Sequence, residues 1–310
     1  MSSITAKAVV TPDAPARRRS KIDRGHWVGL LYIAPAIALV TVFFVIPLVM
    51  TAWMSLHNWP LMGQHRFIGL DNYIAITKDV LFWNALKFTL YYTVIVTIAI
   101  FAVAFPLALF VEKPRPMTGV YRTAFFIPVV VGFASASLLW AWLLNVDSGL
   151  FSPAAQQLGL TEKKFNLLAT FNPAFWSIIV MVVWKVAGFT MVILMTGLQS
   201  IPTELQEAAK IDGANAWQRF RQITLPLMRR TLALALILSV AGSILAFDQF
   251  YILLRGGPRN STITAVYWIF NQSFVSFKLG YGAALSMVLL VILVVLSLIQ
   301  LRLLRNPEGT

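Results

Sequence analysis

Cysteine is absent from the 310 residues, which excludes disulfides, thiolate metal sites and cysteine nucleophiles. Charge is scarce as well: charged side chains make up 12% of the chain, against about 25% in an ordinary soluble domain. Histidine occurs three times (His26, His57, His65), with no spacing that would pair two rings on a metal. No glycine-rich loop ending in Gly-Lys-Ser/Thr occurs, so ATP has no phosphate cradle on this chain. Acidic residues are nearly missing from the apolar runs, Asp248 being the only one well inside, and no internal repeat is evident. Both absences count against an ion-coupled secondary carrier. Clusters of His, Asp or Cys that an integral membrane enzyme would need are missing too.

What is present is apolar surface. Hydrophobic residues make up 58% of the chain and the mean hydropathy is +0.75, so an all-α integral membrane protein is expected. Residues 1–27, with Arg17, Arg18, Arg19, Lys21 and Arg24, read as a disordered basic cytoplasmic tail ahead of a transmembrane domain over 28–310. Six runs of spanning length follow, near 28–53, 84–111, 119–145, 174–197, 231–254 and 282–304. The first is too long for the apolar part of a signal peptide and reads as an uncleaved helix. The net charge of +13 could suggest nucleic acid, but lysine and arginine concentrate in alternate loops. Sixteen of the 25 fall in the tail, 113–122, 210–230 and the C-terminus; eight fall in the intervening loops, and Lys185 lies within a run. That bias puts both termini in the cytoplasm.

The segment at about 198–230 is organised rather than merely polar. Thr203 and Gln206 have the spacing of a capping box after Pro202, and Leu205, Ala208 and Ala209 then share one helical side. Gly213 is placed to take a positive φ and end that helix. A second short helix carrying Trp217 and Phe220 should follow, with Pro226 marking the next span. Such a helix-turn-helix exposes apolar side chains that need cover, either from a partner protein or from the lipid surface.

Glu207-Ala208-Ala209, three residues, Gly213, nine residues and Ile223-x-Leu225-Pro226 resemble the EAA loop of binding-protein-dependent ABC importer permeases. The resemblance implies that these residues form a coupling helix seated in a cleft of an ATPase subunit. Phe247-Asp248-Gln249-Phe250-Tyr251, running on to Gly256-Gly257-Pro258, is similar to the end of the fifth helix and the next outer loop of carbohydrate-type permeases. It departs at Leu254-Arg255, where the pattern has a threonine. Phe67-Ile68-Gly69-Leu70-Asp71-Asn72-Tyr73 resembles the first outer loop of the larger permease subunit, of the maltose, trehalose or glycerol-phosphate kind. Trp184-Lys185 and Gly197-Leu198-Gln199-x-Ile201-Pro202 fit as well.

The resemblance implies a type I importer permease fold of six helices, the first peripheral, in a bacterial or archaeal cytoplasmic membrane. It implies a second homologous permease, two ATP-binding subunits holding ATP and Mg, and an extracytoplasmic solute-binding protein facing Gly256, Gly257 and Pro258. Membrane lipid surrounds the chain; no cofactor of its own and no nucleic acid are expected. The cargo would be a sugar or sugar-like solute, and Trp184, Lys185, Asp248 and Gln249 would line its path.

Lys185 and Asp248 allow two readings. A charge near mid-bilayer costs about 3 kcal/mol or more, so the two could neutralise each other between helices. They could instead offer hydrogen bonds to a polyhydroxyl solute beside a stacking Trp184. Charge asymmetry generates the first prediction. A reporter fused after Arg230 should be cytoplasmic, and one placed in the 146–173 loop external. An external signal after Arg230 would overturn the span assignment.

Overall fold

The computed structural model describes residues 25–159, 166–258 and 260–304. The tail as far as Arg24, together with Lys163, Lys164, Arg259 and the last six residues, lies outside them. The chain divides into two compact units, Met1–Met50 and Thr51–Thr310. In the first unit the described residues form one helical run: α1 (Gly25–Val40), a π-helical turn over Thr41–Val45, and the start of α2 (Ile46–Ser55). The helix thus begins at Gly25, slightly ahead of the expected span.

The second unit opens with a short antiparallel ribbon, β1 (His57–Asn58) against β2 (Arg66–Phe67), with His57 opposite Phe67. Then come α3 (Asp71–Thr77), α4 (Val80–Glu112), α5 (Thr118–Val130), α6 (Phe133–Leu143), α7 (Phe151–Gln157) and α8 (Phe171–Gln199). After α9 (Thr203–Ile211), α10 (Ala216–Arg219) and α11 (Leu225–Leu227), the chain continues through α12 (Arg229–Ile244), α13 (Ala265–Phe270) and α14 (Leu279–Leu304). Among the described residues, four helical runs are long and apolar enough to cross a membrane: Tyr32–Ser55, α4, α8 and α14. Two bent pairs, α5 with α6 at 94° and α10–α11 with α12 at 72°, bring the number to six if each pair is one span.

About half of α8 is buried, and it packs along α4 as the interior rod of the unit. Small residues set its approach to its neighbours. A Cβ on Gly188 would stand 2.0 Å from the Phe125 carbonyl oxygen of α5, and one on Gly197 would meet the Thr231 side chain of α12 at 2.7 Å. Close approach of this kind is how helices pack where lipid removes the hydrophobic incentive to associate. Three apolar clusters follow from one end of α4 to the other, centred on Phe82, on Tyr92 with Phe250, and on Met191 with Leu194.

Two expected spans are broken. The run 119–145 bends at Val131 and Gly132, three residues beyond Pro128, whose ring removes a backbone donor from the last turn of α5. In the run 231–254, α12 stops at Ile244 and a π-helical turn resumes over Phe250–Leu254. The carbonyl of Ala246, freed by that interruption, accepts the Thr264 hydroxyl at 2.8 Å, while the Thr264 hydroxyl oxygen accepts the Tyr267 amide and caps α13. Residues 231–254 are therefore not one straight helix.

Away from the 198–230 loop, Asp79 ties three elements together. One carboxylate oxygen accepts the Phe82 amide at 3.0 Å and caps α4. The other accepts Trp268 Nε1 of α13 at 2.9 Å and the Tyr281 hydroxyl of α14 at 2.7 Å. Nearby, Asn72 donates to the carbonyls of Ser55 and His57, fixing the Phe67–Tyr73 segment. Burial by itself would raise the Asp79 pKa; the amides of Phe82 and Leu81 and the side chains of Tyr281 and Trp268 outweigh it and hold it below the ordinary 3.8. A depressed pKa stabilises the fold at every pH above the unfolded value, and the contribution is lost as pH falls through the folded value. Asp79→Ala should therefore lower the stability of the detergent-solubilised protein by about 1–3 kcal/mol at pH 7, from the stranded donors. The gap to the parent protein should close in thermal unfolding scans below pH 4, and a gap that is unchanged there would be the wrong sign for this carboxylate.

Candidate functional site

The loop between α8 and α12 starts one residue differently from its sequence reading. Pro202, at φ −57° and ψ 132°, occupies the N-cap of α9, so Thr203 is already helical and makes no cap with Gln206. The capping box lies one helix later: Asn215 accepts the Gln218 amide, and the Gln218 side chain accepts the Asn215 amide, both at 2.8 Å. The rigid φ of proline supplies the helix start that a threonine cap would otherwise provide. At the other end of α9 the expectation holds. Gly213 has φ +80°, its amide bonds the Lys210 carbonyl at 3.1 Å, and the Ala214 amide bonds the Ala209 carbonyl at 2.9 Å. This is a Schellman termination, which favours a residue without Cβ at that position.

Glu207 and Ala208 face solvent, Ala209 and Ile223 are half-buried, Leu225 is exposed and Pro226 half-buried. Ile211 is 86% exposed and Trp217, although stacked on Phe220, 66%, so the loop leaves large apolar side chains mostly uncovered. The loop's base is held more firmly. Arg122 donates to the carbonyls of Val111 and Glu112, Gln199 donates to Glu112 at 3.1 Å, and Phe220 packs edge-on to Phe105. Orphan carbonyls at the end of α4 thereby become attachment points for α5 and α8.

Deeper in the unit lies a cavity of about 360 Å³. Its walls come from α4 (Tyr92, Ile100), the α5–α6 break (Val129, Phe133), α8 (Val182, Lys185, Val186, Phe189) and α12 (Leu238, Ser239, Gly242, Ser243), with Gln249 beyond. Of the four residues expected on the solute path, the structure brings Lys185 and Gln249 to this cavity, 5% and 4% exposed. Trp184 is not among the lining residues; it is 39% exposed and stands 6.0 Å from the Trp140 ring. Asp248 is half-buried in the turn after α12 and is absent from the lining as well. Gln249 donates to the Tyr92 hydroxyl at 3.3 Å. Tyr92, Ser239 and Ser243 escaped the sequence reading. The signal was present in Ser239 and Ser243, two small polar residues four apart on one face of an apolar helix.

Lys185 and Asp248 do not pair. The Lys185 ammonium donates to the Val129 carbonyl at 3.4 Å and sits 4.5 Å from the centre of the Phe133 ring. Asp248 makes no hydrogen bond or ion pair among the described residues. A double-mutant cycle of Lys185→Met and Asp248→Leu, read as thermal stability in detergent, should give an interaction energy within about 0.5 kcal/mol of zero. A coupling of several kcal/mol would restore the ion pair.

Gly256, Gly257 and Pro258 form a tight turn beyond Arg255, in which the Gly257 amide bonds the Leu254 carbonyl at 2.7 Å and the Thr262 hydroxyl donates to the Gly257 carbonyl. The Gly257–Pro258 peptide is cis.

Comparison with known proteins accords with this layout. Residues 82–307 match the family described as binding-protein-dependent transport system inner membrane component. The probable starch degradation products transport system permease protein AmyD of Thermoanaerobacterium thermosulfurigenes is 31% identical, over 94% of this chain and 99% of that protein. The trehalose/maltose transport system permease protein MalF of Thermococcus litoralis is 32% identical, over 88% and 92% of the two chains. A chain from the crystal structure of a bacterial ABC transporter involved in the import of the acidic polysaccharide alginate superposes with a TM-score of 0.79. It is 21% identical and is covered over 97% of its length, and this likeness shows the fold. The exposed loop ended by Gly213, the intramembrane cavity and these relatives together establish that this multi-pass chain belongs to the binding-protein-dependent transport system inner membrane components, the permease subunits of ABC importers.

Proposed function

We propose that the chain is one of two permease subunits of an ATP-driven importer for a sugar or sugar-like solute, driven through the 198–230 loop. The observation that carries the reading is α9 itself. It is a short helix ended by Gly213, bearing exposed Glu207 and Ala208, and joined through Ser200–Pro202 to the α8 rod that reaches the cavity. Two ATP-binding subunits would cover Ile211 and Trp217 and hold ATP and Mg. Their closure would push α9, and α8 would carry the displacement toward the cavity. A second, homologous permease would complete the path.

The cavity chemistry supports a polyhydroxyl cargo. Donors and acceptors on Tyr92, Lys185, Ser239, Ser243 and Gln249 stand on otherwise aliphatic and aromatic walls, the mixture that holds a sugar by its hydroxyls and its C–H face. Relatives named for starch degradation products, trehalose/maltose and lactose support the same class. With both termini cytoplasmic, the turn at Gly256, Gly257 and Pro258 faces outward, where a solute-binding protein would dock. A solved relative in complex with its alginate-bound periplasmic protein supports that arrangement. An ion-coupled carrier or a membrane enzyme has no comparable support among the relatives.

Coupling is tested at Gly213. A β-branched side chain at φ +80° costs about 1–2 kcal/mol and disturbs the helix end. Gly213→Val in the reconstituted complex should keep membrane abundance and ATP hydrolysis, while uptake of radiolabelled maltose, trehalose or lactose, whichever the parent complex transports, falls roughly tenfold. Uptake at the parent rate with equal abundance would refute the coupling role.

A further inference from the structure

We propose that Lys185 is a positioning residue that latches the break in the α5–α6 span, its ammonium bridging the last turn of α5 and the first residue of α6. The proposal rests on the coupling reading above but concerns the break itself.

The bend of 94° is not held by its own backbone. Val131 (φ −69°, ψ 128°) and Gly132 (φ −58°, ψ 150°) are in ordinary extended conformations. No backbone hydrogen bond crosses from α5 to α6 among the described residues. The angle is therefore set by side chains. Val129 is one of the last four residues of α5, whose carbonyls have no partner within the helix and carry its negative end. Lys185 donates to that carbonyl at 3.4 Å, and the same ammonium lies 4.5 Å from the ring of Phe133, the residue that starts α6. A cation over an aromatic face and a cation at a helix C-terminus are both favourable, most of all where water is excluded. Lys185 is 5% exposed and has no carboxylate partner among the described residues, so these two groups are what its ammonium holds.

Neighbouring geometry makes the contact a latch rather than an isolated contact. Gly188, three residues on along the same face of α8, lets the Phe125 carbonyl of α5 approach to a distance any Cβ would block. The helix α8 thus grips α5 by backbone contact at Gly188 and holds the break at Lys185. It then runs without interruption to Gln199, which is bonded to the end of α4 at Glu112. Val129 and Phe133 are both walls of the cavity, so any change in the bend reshapes the cavity. A displacement entering α8 from the 198–230 loop would reach the cavity through this contact, the way a packed element with two arrangements carries coupling.

The test uses the complete importer with its partner subunits in proteoliposomes. Val120→Cys and Leu138→Cys, both at exposed positions flanking the break, carry nitroxides; no native cysteine of this chain competes. Pulsed dipolar spectroscopy reads the distance without nucleotide and with ATP plus vanadate. The parent should give one narrow distance that shifts between the two states. Lys185→Met should lose the single narrow peak without nucleotide, Lys185→Arg should keep it, and Phe133→Leu should broaden it in part. If Lys185→Met does not assemble, Lys185→Gln removes the charge and is read in the same way. A Lys185→Met or Lys185→Gln distribution as narrow as the parent's in both states would overturn the latch. A parent whose distance ignores nucleotide would instead overturn the coupling reading, leaving the comparison of widths to judge the latch.

Discussion

A backbone carbonyl freed inside a bilayer has no water to bond, so every break in a spanning helix must be closed by another part of the protein. Much of this structure can be traced to that constraint. The break after Val130 is met by Lys185 of α8, and the one after Ile244 by the Thr264 hydroxyl on the Ala246 carbonyl. Thr264 in turn caps α13, and the Ala265 amide beside it bonds the Thr89 hydroxyl of α4. The caps tie α8 to α5, and α13 to both α4 and the segment after α12.

The same breaks create the cavity. Straight helices packed as tightly as α4 and α8 leave little room between them. Where α5 turns into α6 and α12 gives way to the turn around Asp248, space opens and polar groups point inward. Tyr92, Ser239, Ser243 and Gln249 can be tolerated there because they find partners within the protein: Gln249 donates to Tyr92, Ser239 to the Thr97 hydroxyl and Ser243 to the Ser239 carbonyl. The polar lining is thus compatible with the bilayer.

At the two ends of the unit, rigidity is built differently. Asp79 gathers α4, α13 and α14 through three hydrogen bonds to one carboxylate. The 198–230 loop is tied to α4 by Gln199 and Phe220, and leaves Ile211 and much of Trp217 exposed.

Composition and local pattern by themselves determined much of this protein. Scarce charge with abundant apolar runs dictated a membrane protein. The spacing from Glu207 to Pro226 identified the loop, and Gly213 was legible as a helix end because only one residue type tolerates its φ without strain. Those features depend on neighbours within a few positions. Tertiary structure alone decided whether Lys185 meets Asp248, because the answer depends on where α12 stops and how far the following turn swings away. It also decided that Gln249 reaches the cavity while Trp184 does not. Trp184 and Lys185 are adjacent in sequence, yet a helix turns about 100° between consecutive residues, so only one of them can face the same neighbour. The displaced capping box has the same origin: Thr203 and Gln206 have the right spacing, but Pro202 had already set the backbone that starts the helix.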